Sequence, residues 1–326
     1  MSVRDVIIVG AGPSGLSAAI AAKQRGLEYQ VLEQGVLVNS IYHFPPQMVF
    51  FTTPELLEIG GLPFVSPYDK PTRAEALKYY RKVVDTYDLQ IAYEETVVSV
   101  EREDNGAVFA VITRSKRGGQ RVRHARHVVM AIGYYDHPVL IGVPGEELPH
   151  VHHYYAEPHP HYRQRVVIVG GGNSAAESAL EMFRAGAHVT VVHRAPALKS
   201  TIKYWVKPDI ENRIKEGSIA ARFRTCVTKI TMTTVLLNGP HGPEELPADA
   251  VYLLTGYRAD TDLLTRAGVT LNERDAPVHD PATFETNVPG LFVAGGAIAG
   301  VDTGTIFIEN GRFHGEKIIE VIARRG

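Results

Sequence analysis

One stretch decides the fold: Asp5-Val6-Ile7-Ile8-Val9-Gly10-Ala11-Gly12-Pro13-Ser14-Gly15. Its β-branched run is typical of a parallel strand that is buried on both faces, and the residues that follow, 14–25, are predicted to form a helix. In such a strand–turn–helix unit Gly10 permits the turn, Gly12 lets a pyrophosphate approach the backbone, and Gly15 lets the helix pack on the strand. The helix N-terminus then offers N–H groups and a positive dipole to an anion.

A carboxylate ends the next predicted strand, Gln30-Val31-Leu32-Glu33. In dinucleotide-binding units an acid at this position accepts hydrogen bonds from the ribose hydroxyls of an adenosine. Glu33 is therefore predicted to bind the ribose of the first dinucleotide.

A second copy of the pattern begins at Arg165-Val166-Val167-Ile168-Val169 and continues into Gly170-Gly171-Gly172-Asn173-Ser174-Ala175. After its second strand, residues 188–192, the acid is replaced by His193 and Arg194, with Lys199 soon after. Cationic side chains at this position suit a 2′-phosphate, which guanidinium binds through bidentate, charge-assisted hydrogen bonds. We therefore predict FAD at the first loop and NADPH at the second.

Composition narrows the class of protein. The chain has 326 residues, of which 44% are hydrophobic, and a formal net charge of −2; its length favours two packed domains. The charge predicts no nucleic-acid or membrane partner, and no apolar run approaches the roughly 18 residues that span a bilayer. We expect a soluble, cytoplasmic protein. The single cysteine, Cys226, rules out an internal disulfide and is predicted to be buried and structural.

The order of the predicted elements indicates how the domains are connected. Residues 72–87 are predicted to form a helix and residues 303–324 a final helix. An antiparallel meander is predicted at 96–103, 107–114 and 122–126, with turns at Asp104-Asn105-Gly106 and Gly118-Gly119. Separate buried strands at 127–131 and 250–254, and another within 285–296, each run into glycine. The predicted fold class is α/β, with two Rossmann-like, three-layer ββα domains. The FAD domain comprises residues 1–135 and 258–326, and the NADPH domain, residues 136–257, is inserted in it.

These paired loops, together with the segment Thr286-Asn287-Val288-Pro289-Gly290-Leu291-Phe292, resemble the low-molecular-weight thioredoxin reductase group of flavoproteins over the whole chain. In that group a redox-active Cys-x-x-Cys precedes the NADPH loop, and the corresponding positions here are His153-Tyr154-Tyr155-Ala156. Neither thiolate exists, so reduction through an internal dithiol is excluded.

The chain is more similar to the YpdA-type bacillithiol disulfide reductases, which also lack that dithiol. The stretches that carry this resemblance are Asn39-Ser40-Ile41-Tyr42-His43-Phe44-Pro45, Phe50-Phe51-Thr52-Thr53, His153-Tyr154-Tyr155 and the long segment Thr305-Ile306-Phe307-Ile308-Glu309-Asn310-Gly311-Arg312-Phe313-His314-Gly315. The resemblance implies NADPH-driven reduction of a low-molecular-weight thiol disulfide through FAD.

Two positions depart from the related proteins. Members of the YpdA type often carry a proposed active cysteine in the first glycine loop, where this chain has Ser14; a hydroxyl can cap the helix or bond a phosphate but is no thiol nucleophile. Thioredoxin reductases carry an acid on the FAD ribityl chain where this chain has Gly296.

The predicted site residues follow from these motifs and from the resemblance. Catalytic residues are unknown, with Ser14 and His153 as candidates, the latter as a proton donor. The predicted FAD contacts are Gly10, Gly12, Pro13, Ser14, Gly15, Glu33, Gln34, Asn39, Ser40, His43, Phe51, Thr52, Thr53, Val97, Gly133, Gly295, Thr305 and Ile306. The predicted NADPH contacts are Gly170, Gly172, Asn173, Ser174, Ala175, His193, Arg194, Lys199 and Gly256. Five histidines fall within residues 150–161, yet the interleaved prolines and tyrosines favour a rigid interdomain loop over a metal site.

Three functions stay open from the sequence. The first is an NADPH- and FAD-dependent oxidoreductase that passes hydride through flavin to a small acceptor, a low-molecular-weight thiol disulfide. The second is a ferredoxin or flavodoxin NADP reductase of similar build. The third is a non-enzymatic flavin redox sensor. The acceptor is expected to be a small molecule or a small protein, and the protein a homo-oligomer, dimer or tetramer.

Overall fold

The fold is that of a computed structural model, and the structure describes residues 3–103 and 106–325. It divides into two compact units, Met1–His137 with Tyr257–Gly326, and Pro138–Gly256. Of the turn predicted at Asp104-Asn105-Gly106, Asp104 and Asn105 lie outside the described residues.

The strands of the first unit are β1 Val3–Val9, β2 Tyr29–Leu32, β3 Ile91–Ala92, β4 Glu95–Glu103, β5 Val108–Ser115, β6 Gln120–Met130 and β15 Leu291–Val293. Its helices are α1 Pro13–Gln24, α2 Asn39–Tyr42, α3 Arg73–Tyr87, α6 Thr261–Arg266, α7 Ile308–Gly311 and α8 His314–Arg325. The second unit contains β7 Val151–His152, β8 Arg165–Val169, β9 His188–His193, β10 Ala220–Phe223, β11 Cys226–Ile230, β12 Thr234–Gly239, β13 Gly242–Pro247 and β14 Ala250–Leu253, with helices α4 Asn173–Arg184 and α5 Lys207–Lys215.

The first unit is built on a parallel sheet in the order β3-β2-β1-β6-β15. The register places Val9 of β1 opposite Leu32 on one side and Met130 on the other. The antiparallel strands β4 and β5 continue from β6, which confirms the predicted meander. The structure corrects one boundary: its third strand, predicted at 122–126, and the buried strand, predicted at 127–131, are the single strand β6. No turn residue separates them, so one strand serves both pairings.

Both faces of this sheet are covered, as the apolar run of β1 predicted. Val6 and Ile8 pack in one core with residues of α1, α3 and α8. Ile7 and Val9 pack in the other, with residues of the meander and α6. Alternate residues of a strand point to opposite faces, so a continuous apolar strand separates a helical layer from a β layer. This is the predicted ββα arrangement.

The second unit repeats the plan. Its parallel sheet has the order β10-β9-β8-β14-β7, and β11, β12 and β13 form an antiparallel sheet. One core joins the parallel sheet to α4 and α5, and the other joins it to the antiparallel strands. None of the helices that the structure describes is long and apolar enough to cross a bilayer.

Cys226 is exposed, so the prediction of a buried, structural cysteine is wrong. It is the first residue of β11, and its neighbour Val227 takes the inward position. Because side chains alternate along a strand, the thiol points to solvent.

The last predicted helix is also corrected. It does not begin near residue 303, because residues 301–305 form turns in which the carbonyl of Asp302 accepts both the N–H and the hydroxyl of Thr305. The short helix α7 follows, and the packed C-terminal helix is α8.

Close contact between α8 and α1 depends on Gly315. A Cβ at this position would overlap the backbone nitrogen of Ala18 and the carbonyl oxygen of Ser14. Because those neighbours are backbone atoms of a buried helix, they cannot yield by a change of rotamer. Gly315 therefore sets the separation of the two helices.

We predict that Gly315→Ala lowers the free energy of unfolding by about 3 kcal/mol, the cost of forcing extra volume into a packed contact. The matched control is Gly304→Ala, because nothing lies within 4 Å of a Cβ there; its effect should stay below about 1 kcal/mol. Urea titration followed by far-ultraviolet circular dichroism measures both. Equal stability of the two variants would contradict the role of Gly315.

Candidate functional site

The first glycine loop forms a cradle whose middle position is open. A Cβ at Gly10 would overlap the carbonyl oxygen of Ala131, and a Cβ at Gly15 would overlap that of Gly10. Gly10 also has φ of +106°, which disfavours other residues. By contrast, nothing lies within 4 Å of a Cβ at Gly12. Two glycines are thus required by packing, whereas Gly12 faces free space at the carboxyl edge of the sheet, where a ligand backbone can approach.

Helix α1 starts at this cradle without a side-chain cap. Its N-cap is Gly12, with Pro13 in the first turn. The first N–H groups of a helix have no intrahelical partners. Pro13 itself has no backbone N–H group. The loop therefore presents backbone donors and a positive dipole end to the space above Gly12, a fit for the phosphates of a dinucleotide.

Glu33 is held in place beside this cradle. The side chain is 4% exposed, and its two carboxylate oxygens accept hydrogen bonds of 2.8 Å from the backbone N–H groups of Ala11 and Gly35. Burial raises the pKa of Glu33, while these two N–H donors act to lower it. Each oxygen keeps acceptor capacity, so the carboxylate suits the ribose hydroxyls that the sequence predicted for it.

Asp136 completes a polar network that the sequence did not reveal. Its carboxylate accepts from the amide of Gln34 at 2.9 Å and from the amide of Asn39 at 3.1 Å. Two predicted FAD residues are thus tied to one acid that follows β6. In the sequence, Asp136 is visible only as a charged residue shortly after Gly133. Its partners Gln34 and Asn39 lie about a hundred positions away along the chain, so no local pattern connects them.

The Ser14 side chain points into the protein. Its hydroxyl donates to the carbonyl of Gly311 at 3.0 Å, and a Cβ at Gly295 would overlap this hydroxyl. The hydroxyl therefore does not cap α1. In this structure Ser14 joins the start of α1 to α7.

His314 supports the strand end at Gly295 and was not predicted. Its Nδ1 accepts the backbone N–H of Gly295 at 3.1 Å, in a buried contact, and its ring stacks on Phe284 with centroids 4.3 Å apart. Burial, and after it Lys317 and His279, lowers the pKa of His314 to about 4. The neutral imidazole is required, because a protonated Nδ1 cannot accept.

The segment from residue 38 to residue 53 lies on the first unit. Val38 precedes α2 with φ of +48°, a strained conformation for a β-branched residue, and its N–H donates to the carbonyl of Ala11 in the glycine loop. The ring of His43 contacts the carbonyl of Asn39 at 2.9 Å, and Phe51 packs edge-on against Phe307. The segment is thus attached to the cradle at its start.

The remaining predicted FAD residues lie at several places in the first unit. Ser40 lies near Gly133, with 3.9 Å from its hydroxyl to a Cβ built there, and Ile306 lies near Gly311. Thr52 is buried and Thr53 exposed. The side chain of Val97 belongs to the core below the meander. The N–H and hydroxyl of Thr305 are both bound to Asp302, so no helix N-terminus begins there.

The second glycine loop has the same geometry. A Cβ at Gly170 would lie 2.5 Å from the carbonyl oxygen of Leu254, whereas the nearest atom to a Cβ at Gly172 is Cδ of Lys199 at 3.9 Å. Helix α4 follows with Gly172 as its N-cap and no side-chain cap. Ala175 is fully buried behind the loop and Ser174 is exposed. Gly256 lies three residues beyond the neighbouring strand β14 and has open space at its Cβ position.

His193 does not serve as a cation. It is 8% exposed, and a Cβ at Gly171 would overlap its ring. Burial, then Lys199 and Arg194, lowers its pKa, so the imidazole is neutral at physiological pH. The predicted cationic pair is corrected: Arg194 and Lys199, both exposed, carry the positive charge, and His193 packs under the loop.

Asn173 anchors a loop beside this second cradle. Its Oδ1 accepts the backbone N–H of Lys203 at 2.9 Å, and its Nδ2 donates to the carbonyl of Thr201. The N–H of Lys199 donates to the carbonyl of Gly171 at 2.9 Å, and the ammonium of Lys203 pairs with Glu177 at 2.6 Å. The loop 199–205, which ends at Trp205, is thereby fixed against the start of α4.

The histidine-rich segment belongs to the second unit rather than to a free linker. His152 lies in β7, and His161 contacts the hydroxyl of Tyr252 at 2.7 Å. The Nε2 of His153 is 3.9 Å from the carboxylate of Glu146. Within the residues that the structure describes, no group of three or more His, Cys, Asp or Glu side chains is placed to hold a metal ion.

Comparison with known proteins identifies the family. Residues 7–295 match the family described as pyridine nucleotide-disulphide oxidoreductase. The chain belongs to this family. It is therefore an oxidoreductase, and membership implies the use of a flavin and a pyridine nucleotide, in agreement with the two cradles.

Full-length relatives support the same assignment. The chain is 42% identical over 329 residues to the bacilliredoxin reductase Bdr of Bacillus subtilis, an alignment that covers 100% of this chain and 99% of the relative. The structure is similar to the bacillithiol disulfide reductase Bdr (YpdA) from Bacillus cereus, with TM-score 0.96, 39% identity and complete coverage of both chains. The thioredoxin reductase of T. acidophilum, with 23% identity, TM-score 0.75 and coverage of 99% and 98%, shares the fold. The predicted resemblance and fold class are confirmed.

We predict that His314 makes stability depend on pH. Its pKa is lowered in the folded state, so its contribution is present above the unfolded pKa near 6.5 and is lost as pH falls towards 4. Relative to His314→Asn, which does not titrate, the wild type should lose about 2 kcal/mol of unfolding free energy between neutral pH and pH ~4.5. Urea unfolding at both pH values measures the difference. A difference independent of pH would contradict the neutral, buried imidazole.

We predict that Asn173→Ala weakens binding at the second cradle about tenfold by releasing the loop 199–205. The single tryptophan of the chain, Trp205, reports this directly, because its fluorescence can be followed during titration with NADP⁺. Asn212→Ala, on the exposed face of α5, is the control and should bind as the wild type does. Unchanged affinity in Asn173→Ala would show that the anchor is dispensable.

Proposed function

We propose that the chain is an NADPH-dependent FAD oxidoreductase that reduces a low-molecular-weight thiol disulfide of the bacillithiol kind. The observation that carries the proposal is the pair of glycine cradles, each open over its middle glycine and each at an uncapped helix N-terminus. Two such cradles in one chain suit two dinucleotides.

The charges beside the cradles support the order of the cofactors. Glu33, buried at the first cradle, would hold the ribose of FAD, and a carboxylate there disfavours a 2′-phosphate by repulsion. Arg194 and Lys199, at the second, would hold the 2′-phosphate of NADPH. On this basis we propose that the FAD domain is residues 1–135 with 258–326 and the NADPH domain is residues 136–257.

When bound, the cofactors supply hydride transfer from nicotinamide to flavin. The chain supplies placement. Backbone N–H groups of the two loops would bind the pyrophosphates, Gln34 and Asn39 fix Asp136 beside the first cradle, and Asn173 fixes the loop that carries Lys199. His153 stays a candidate proton donor, with the Glu146 carboxylate near its Nε2.

The disulfide acceptor is supported by the names of two full-length relatives. One is called a bacilliredoxin reductase and another a bacillithiol disulfide reductase, so the acceptor class is a bacillithiol disulfide, free or on a small protein. Ferredoxin–NADP reductases are also similar, at 26% identity for that of Ignicoccus hospitalis. We further propose a cytoplasmic homo-oligomer, a dimer or a tetramer.

The test begins with the FAD-loaded protein in a stopped-flow instrument. NADPH should bleach the flavin absorbance rapidly, and bacillithiol disulfide should restore it, whereas ferredoxin, quinones and oxygen should restore it more slowly. Rapid bleaching followed by reoxidation by ferredoxin alone would replace the disulfide with a protein electron acceptor. No bleaching by NADPH would overturn the proposal.

We predict that the double variant Arg194→Ala/Lys199→Ala raises the KM for NADPH by about 100-fold and leaves that for NADH unchanged, because each charge-assisted bond to a phosphate is worth about 1.5 kcal/mol or more. Lys229→Ala removes an exposed lysine from β11 and serves as the control. An equal loss for both nucleotides would show that the two cations do not read the 2′-phosphate.

A further inference from the structure

Two strand ends meet beside the first cradle. Val293 of β15 pairs with Met130 of β6 in parallel register. Gly133 and Gly296 each lie three residues beyond this pair, so the two glycines arrive together at the carboxyl edge of the sheet. A Cβ at Gly296 would lie 3.7 Å from the α-carbon of Gly133. On the other side of β6, Met130 pairs with Val9, which leads into the first cradle.

The ring of Tyr134 covers this meeting point. A Cβ at Gly296 would lie 2.7 Å from Cδ1 and 2.9 Å from Cε1 of that ring, distances that no real Cβ tolerates. Any side chain at 296 would therefore force the ring of Tyr134 to move. The ring occupies the volume into which any side chain of residue 296 would project.

The other end of Tyr134 is anchored. Its hydroxyl donates to the carbonyl of Thr303 at 3.4 Å, a long hydrogen bond, and the side chain is partly buried. Burial, and after it Glu309, raises the pKa of Tyr134, so the hydroxyl remains a donor at physiological pH. The ring is thus held between the strand ends and the turn at 301–305.

We propose that Tyr134 is a flavin-positioning residue, whose ring lies on Gly296 and forms one wall of the cofactor site in place of a side chain from position 296. Ligands of such sheets bind outside the carboxyl ends of the strands, and this ring lies at that edge, one strand away from the Gly12 cradle. The proposal rests on the proposed function, because it requires that the first unit binds FAD.

The contact between residues 134 and 296 can be tested by a double-mutant cycle on the full chain. Protein stripped of flavin is titrated with FAD, and the dissociation constant, the visible spectrum and the midpoint potential are recorded. The variants are Tyr134→Ala, Tyr134→Phe, Gly296→Ala and Tyr134→Ala/Gly296→Ala. Trp205 fluorescence with NADP⁺, together with circular dichroism, shows whether each variant is folded.

Tyr134→Ala and Gly296→Ala should each weaken FAD binding about tenfold and shift the flavin spectrum, whereas in the Tyr134→Ala background Gly296→Ala should cost less than about twofold, because the steric conflict is gone. Tyr134→Phe keeps the ring and should bind FAD within about threefold of the wild type.

Different failures have different meanings. If the wild type binds no FAD, the proposed function fails. If the wild type binds FAD and Tyr134→Ala binds it equally with an unchanged spectrum and potential, the role of Tyr134 alone is overturned. The same conclusion follows if Gly296→Ala costs as much without the ring as with it.

Discussion

The first unit depends on close contacts around the start of α1 that leave no room for a side chain at three glycines. Gly15 lies against Gly10, Gly315 lies against the backbone of α1, and Gly295 lies against the hydroxyl of Ser14. These contacts fix the direction in which α1 points. Because the dipole and the free N–H groups act only over the first turn, a small rotation of the helix would remove both from the space above Gly12. The close packing of α1 therefore also sets the direction in which its free N–H groups point, on which the proposed binding of phosphate depends.

The second unit uses the same backbone solution with different charges. In both loops the first glycine is required by a neighbouring strand and the third residue of the loop, Gly12 or Gly172, is open. Backbone groups bind phosphate without regard to the rest of the nucleotide. On the proposed assignment, side chains at the end of the second strand would choose between the nucleotides: a buried Glu33 in one unit and exposed Arg194 and Lys199 in the other. The shared plan of the two units thus does not prevent different specificities.

Much of this could be predicted from sequence because the signals are local. The strands, the glycine loops and the acid or cations after them lie within short windows, and their order gives the ββα plan. The residues that were missed act over long separations: Asn39 meets Asp136 at 97 positions and Gly295 meets His314 at 19. The charge of His193 and the exposure of Cys226 depend on what surrounds each side chain in the fold. The residue type alone does not predict those surroundings. The predicted start of the last helix is too early. Thr305 donates both its N–H and its hydroxyl to the carbonyl of Asp302 and so forms a turn instead of a helix start.

The number of thiols limits how a disulfide can be reduced. The chain has one cysteine, and a single thiol cannot form an intramolecular disulfide. Cys226 is the first residue of β11, a strand of the antiparallel sheet in the second unit, and Ser14 offers a hydroxyl that already donates to Gly311. No internal dithiol relay is therefore possible, and an acceptor must collect its electrons without one. On the proposed function, the walls of the first unit's cofactor site would then set the specificity, with Gly12 open and Tyr134 as one of those walls.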